Sequence, residues 1–161
     1  MTARPPVPNP PYTGGCLCGA VRYELKARPL AINACHCNDC KKTSGATNVL
    51  MLIADSAAFS ATGETHTYLS TADSGRVKEI KRCANCGVRV WHQNLASPVL
   101  VFIAAGTLDD TSWAIPASHI WVERASPGVM VQDDAIKVEG QPADRKILMD
   151  AFTNIYGEQL P

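Results

Sequence analysis

The stretch Cys35-His36-Cys37-Asn38-Asp39-Cys40 puts three thiols within six residues, and two cysteine pairs flank it, Cys16-Leu17-Cys18-Gly19 upstream and Cys83-Ala84-Asn85-Cys86-Gly87 downstream. Thiols spaced this closely can reach one ion at roughly 2.3 Å, and a glycine after the second permits the positive φ that a metal-binding turn often needs. Each outer pair reads as half of a zinc knuckle, and two halves complete a tetrahedron. Cys16, Cys18, Cys83 and Cys86 are therefore expected to form a closed structural zinc site. The alternative is a set of reduced core cysteines, since free cysteine is often buried.

The central run differs, because Cys35, Cys37 and Cys40 have no equally obvious fourth partner. Three protein ligands and one open position are the pattern of a catalytic zinc. Cys35 and Cys37 would share one side of an extended segment, Cys40 would sit in a following helical turn, and His36 would point away. His36 is expected to be structural, with direct ligation as the alternative. A fourth ligand from His66, His92 or His119 would instead make this a second structural zinc and remove the chemistry. Lys41, Lys42, Arg82 and Arg89 adjoin the thiols in sequence and either offset the thiolate charge or are simply solvated. Beside an open zinc, Lys41 and Lys42 would favour an anionic substrate.

Around the cysteines the pattern is that of short strands. Val21, Tyr23 and Leu25 alternate with Arg22, Glu24 and Lys26, a period of two that suits a half-buried strand. Residues 48–53, 65–69, 77–83, 88–91 and 99–105 read the same way. Gly63, Ser74 with Gly75, Gly87, and Ser97 with Pro98 supply turns between them. Two helical signals interrupt: a brief turn over 39–44 ended by Gly45, and a helix over 142–156 in which Ile147, Leu148, Ala151, Phe152 and Ile155 share a face. The expectation is a mainly β, antiparallel domain over 13–161 closed by a C-terminal helix, after a proline-rich flexible tail over 1–12.

Composition narrows the function. Fifteen basic residues balance fifteen acidic ones, so the chain lacks the positive field that nonspecific nucleic-acid or anionic-membrane binding needs. Met1 to Pro11 has five prolines and no apolar stretch, which argues against a signal peptide or anchor and makes a cytoplasmic location the expectation. In that reducing compartment, seven cysteines point to metal rather than to disulfides.

Three blocks in order carry a family resemblance: Gly15-Cys16-Leu17-Cys18-Gly19-Ala20-Val21-Arg22-Tyr23, Cys35 to Gly45, and Cys83-Ala84-Asn85-Cys86-Gly87. Across about Gly14 to Val122 the chain resembles the glutathione-dependent formaldehyde-activating enzymes, small zinc proteins classed as carbon-sulfur lyases. Arg82 departs from the aromatic that the family often has before this cysteine. The resemblance implies a tent-like antiparallel β zinc fold and two Zn2+ per chain. It also implies structural ligands at Cys16, Cys18, Cys83 and Cys86, and a catalytic zinc on Cys35, Cys37 and Cys40. Glutathione and formaldehyde are the implied substrates. A thiol would enter the open position as a thiolate and add to the aldehyde. Because that addition also proceeds uncatalysed, a thiol-adduct carrier or sensor, and a noncatalytic protein-interaction module, stay open beside the lyase.

Overall fold

In the computed structural model, which describes residues 4–73 and 75–158, strands dominate. In chain order they are β1 (Tyr12–Gly15), β2 (Arg22–Leu25), β3 (Ala31–Cys35), β4 (Val49–Asp55), β5 (Phe59–Thr62), β6 (Thr65–Thr71), β7 (Val77–Cys83), β8 (Arg89–Asn94), β9 (Ser97–Ala104), β10 (Ser118–Ile120) and β11 (Ile136–Val138). Helix α1 (Asn38–Ser44) follows β3, and α2 (Lys146–Tyr156) comes last. Ser74, read as a turn residue, and residues 1–3 of the proline-rich stretch lie outside the described residues. Among the described residues, no helix is long and apolar enough to cross a membrane.

Strands β1, β2 and β5 form a three-stranded sheet, and the others an eight-stranded sheet in the order β11-β10-β3-β4-β9-β8-β7-β6. The pairing is antiparallel as expected, except that β10 runs parallel to both β3 and β11. A parallel neighbour needs a long connection instead of a tight turn, and the chain between β4 and β10 supplies it. Register places Ile32, Leu52, Ile103 and Trp91 side by side across the large sheet. This row faces the small sheet, where the rings of Tyr23, Phe59 and Trp91 bridge the layers at 5.6 Å and 5.3 Å. Ile32, Leu52 and Ile103 are fully buried, and each contributes roughly 1.5–3 kcal/mol through removal from water.

The adjoining row, Ala31, Ile53, Phe102, His92 and Ile80, points to the opposite face by strand alternation. Helix α2 covers part of that face, packing on β3 through the buried Leu148 and Phe152. It begins at Lys146, later than the expected residue 142, and Ile147 stays 47% exposed instead of joining the apolar face. The short helix meets expectation: Gly45 caps α1 at φ 70, and its N–H donates to the Lys41 carbonyl.

The proline-rich stretch, expected to be free, makes defined contacts over residues 4–12. Arg4 pairs with Asp134 through two nitrogens at 2.6 and 2.7 Å, and it donates to the Pro116 carbonyl and the Tyr156 hydroxyl, both at 2.9 Å. Tyr12, expected in the tail, is buried at the start of β1, and its hydroxyl donates to the Pro8 carbonyl. Proline composition signalled a chain without its own hydrogen bonds and said nothing of what a lone arginine could grip. Arg4→Ala is expected to lower stability by about 1.5–3 kcal/mol, the range for hydrogen bonds to a charged group, measured as a fall in the urea midpoint. An unchanged midpoint would show that these bonds add nothing over water.

Candidate metal centres

The outer cysteines converge from two sheets. Cys16 and Cys18 lie in the loop between β1 and β2, Cys83 ends β7, and Cys86 lies in the turn before β8. All four sulfurs fall within 4.8 Å of one another. Sγ to Sγ distances of 3.5 Å for Cys16 to Cys18 and 3.8 Å for Cys18 to Cys83 fit a tetrahedral ion with sulfur at about 2.3 Å, whose ligands stand about 3.8 Å apart.

The two turns are built alike. The Cys16 N–H donates to the Val21 carbonyl at 3.0 Å, and the Cys83 N–H donates to that of Val88 at 2.9 Å. Gly19 and Gly87 hold φ at 77 and 72, where a side chain would be strained. Backbone donors face the sulfurs: Val21 N–H to Cys16 at 3.2 Å and Cys86 N–H to Cys83 at 3.5 Å. Burial works to raise the Cys16 thiol, but the Val21 N–H and the neighbouring cysteines prevail and bring it down to about 6. Such donors stabilise thiolates, the form that binds metal.

The central group also assembles as the spacing implies. Cys35 ends β3, Cys37 is the extended cap of α1 with φ −63 and ψ 154, and Cys40 lies in the first helical turn. Their sulfurs lie within 4.8 Å of one another, and no histidine or carboxylate among the described residues joins them. The charge is shared unequally. Cys37 is pulled strongly down by hydrogen bonds from Cys35 and Cys40, whereas Cys35 is pushed up by its hydrogen bonds with Cys37 and Cys40 and by burial.

Each histidine has another occupation. His36 is fully buried and turned away, with its Nε2 2.9 Å from His119 Nδ1, and His119 Nε2 is 2.7 Å from Gln132 Oε1. His66 is exposed on the edge strand β6. His92 Nδ1 lies 3.1 Å from Arg89 Nη2. Regular alternation would put Arg89 on the other face, but the ladder passes from Arg82↔Arg89 to Lys81↔Trp91. This skips Val90 and turns Arg89 toward His92. Arg89 Nη1 also donates to Thr43 Oγ1 at 2.7 Å, which ties α1 to β8. Lys41 donates to the Arg124 carbonyl at 2.9 Å and Lys42 is exposed.

Cys35, Cys37 and Cys40 open on a cleft with ≈ 820 Å³ of space, its mouth included. Ile53, Phe102 and Leu148 give it apolar walls, His92 and Asn33 polar ones, and Trp121 a flank. Trp121 holds φ 59, ψ 39, a left-handed conformation rare for a bulky residue, and Arg124 stacks on its ring at 4.2 Å. Neither Lys41 nor Lys42 lines this cleft; its cations are Arg76, Lys78 and Arg145. Sequence reading passed over Arg76, Arg145 and Trp121 and weighed His92 only as a ligand. Nothing local marks the first three, since sheet register and the approach of α2 bring them together.

A family model described as glutathione-dependent formaldehyde-activating enzyme matches residues 11–124. The chain belongs to that family. No curated protein matches it. Among solved structures, the crystal structure of a Rhodobacter sphaeroides protein is 20% identical, covering 60% of this chain and 87% of that one, with a TM-score of 0.47. The formaldehyde-activating family match contains both cysteine groups, Trp121 and His92, and it ends before β11 and α2. Gln141, Arg145 and Leu148 reach the cleft from beyond it.

Both groups satisfy the distances for metal binding. Titration of the reduced, metal-free protein with Co(II) is expected to raise thiolate-to-metal absorption that saturates near two ions per chain. Saturation at one would show that only one group holds metal.

Proposed function

We propose that this chain is a zinc-dependent carbon-sulfur lyase that joins a thiol to a small aldehyde and parts the same bond in reverse, with glutathione and formaldehyde as its pair. One observation carries the reading: four thiols close the outer group, whereas three converge at a cleft where, among the described residues, no histidine or carboxylate joins them as a fourth ligand. In this reading Cys16, Cys18, Cys83 and Cys86 hold a structural zinc, and Cys35, Cys37 and Cys40 hold the catalytic one. Zinc on the central cysteines would give the substrate sulfur a coordination position and lower its pKa to favour the thiolate.

The chain's own residues then orient the partners. Ile53, Phe102 and Leu148 form an apolar enclosure fit for a small aldehyde. As the sulfur-carbon bond forms, the carbonyl π pair moves onto oxygen, which gains a proton; the thiol has given one up, so the sum is an S-hydroxymethyl thioether with no redox change. His92 is suited to meet that oxygen. An arginine can only donate, so Arg89 makes His92 Nδ1 an acceptor and leaves the hydrogen on Nε2. Burial, reinforced by Arg89 and Lys78, keeps the ring well below its ordinary pKa and therefore neutral. A neutral Nε2–H in a half-enclosed cleft is a fixed donor for the developing oxyanion. His36 is committed to His119 and does not line the cleft, so it is not placed to supply this proton.

Two measurements test the assignment. Cys16→Ser is expected to lower the melting temperature and the zinc content together, because a closed site contributes directly to folding. Cys37→Ser is expected to lose the thiol site with a smaller drop in melting temperature, and equal drops would sink the division of roles. Exchange NMR of glutathione, formaldehyde and their adduct is expected to show interconversion faster than in buffer. His92→Ala should cut that acceleration about 100-fold, the scale of one oxyanion donor, with thiol affinity unchanged. No acceleration by the native zinc protein would leave a binding role alone.

A further inference from the structure

The arginines of this chain fall into two classes. Arg4, Arg22, Arg28, Arg82, Arg89 and Arg124 donate side-chain hydrogen bonds to carboxylates, carbonyls, a hydroxyl or a ring nitrogen. Arg76 and Arg145 have no such bond or ion pair among the described residues, and both line the cleft that holds the three thiols. The acidic residues of the same cleft are engaged elsewhere: Asp39 lies 3.8 Å from Lys78, and Asp73 accepts from Arg124 at 2.6 Å. Two guanidinium groups without counterions therefore stand over a cleft whose own carboxylates are already paired.

The two approach from different directions. Arg76 is exposed just before β7, and Arg145 is half-buried at the start of α2 with its guanidinium 5.3 Å from the centre of the Phe102 ring. Both line the same cleft, and burial, then the charge of Arg76, hold the Arg145 guanidinium below the ordinary arginine range. Two like charges sharing one cleft disfavour each other's charged form, and an anion bound between them favours both. The cleft floor shows a second unmet demand. Asn33 is 2% exposed, lines the cleft, and its side-chain oxygen has no partner among the described residues. A buried amide oxygen without a donor costs stability that a ligand N–H would restore.

We infer that Arg76 and Arg145 form a carboxylate-binding subsite that selects thiols carrying an acid group, with Asn33 accepting an N–H from the same molecule. The inference rests on the thiol-binding reading of Cys35, Cys37 and Cys40. A planar guanidinium matches a carboxylate with two parallel hydrogen bonds, the geometry that lysine cannot supply. Arg145 belongs to the segment beyond the family match, so this half of the subsite is a property of the chain's own C-terminal region. The ligand class is a small thiol with at least one free carboxylate and an amide or ammonium N–H, and a neutral thiol gains nothing from the pair.

The test uses the full chain with Co(II) bound in place of zinc, and thiol binding is read from the change in visible absorption. Glutathione, its diethyl ester and 2-mercaptoethanol are titrated into the native chain, Arg76→Gln and Arg145→Gln, with melting curves to check the fold. Glutathione is expected to bind the native protein on the order of 10-fold or more tightly than the diester, the scale of a charge-assisted hydrogen bond. Each substitution should remove most of that advantage and leave 2-mercaptoethanol affinity unchanged. Arg76 is exposed, so its variant keeps the test decisive even if Arg145→Gln melts early. Equal binding of glutathione and diester by the native chain, or a parallel loss for all thiols in both variants, would overturn the subsite alone. Absence of binding by every thiol would overturn the thiol reading of the central cysteines and the subsite with it.

Discussion

Strand β3 is held on both edges, antiparallel to β4 and parallel to β10, and the position of the central thiols depends on that double pairing. Cys35 is its last residue, opposite Val49 on one side and Ile120 on the other. One residue on, the His36 N–H still donates to the Ile120 carbonyl, so the chain stays in the sheet until it turns into α1. Cys37 and Cys40 are then fixed by the cap and first turn of a helix too short to hold itself in isolation. Thr43, gripped by Arg89, anchors that helix from its far end. A sulfur cluster able to bind an ion thus owes its geometry to backbone pairing already in place.

The two cysteine groups show how similar sequence features acquire different roles from topology. The outer four come from the β1–β2 loop of the small sheet and from the end of β7 and the turn after it in the large one, and an ion shared among them would fasten the two sheets together. The central three come from one continuous run, so they crosslink nothing distant and face an opening instead. His36 and His119 illustrate the same point. Their rings lie side by side and nearly coplanar, joined by the Nε2 to Nδ1 hydrogen bond with planes 16° apart, and Gln132 extends the chain of polar groups from His119. These histidines orient the wall of the site without entering it.

Much of this was legible from residue order. Alternating β2, the runs that became β4, β6, β7, β8 and β9, the capped α1 and the grouping of the seven cysteines all stand in local pattern. β3 was not legible: all five residues of Ala31 to Cys35 are buried, so the alternation that marks a half-exposed strand is missing. β10 and β11 are three residues each, below the length at which a period can be read. Arg76, Arg145 and Trp121 became site residues through register, a left-handed backbone and the docking of α2, none of which has a signature in the neighbouring residues. His92 needed the skipped Val90 before its partner, and so its hydrogen, was fixed.

Arg145 also occupies an awkward place in its own helix. It stands at the start of α2, where Ser, Thr, Asp or Asn would serve as a cap, and its side chain makes no capping bond. The positive pole of the helix macrodipole lies at the same end, so a cation there is disfavoured. Asp144 offers partial relief by accepting from the Lys146 N–H at 2.8 Å. The first turn of α2 thus carries a cation at its positive pole without a side-chain cap, and an anion arriving beside Arg145 would tighten the turn as well as the guest.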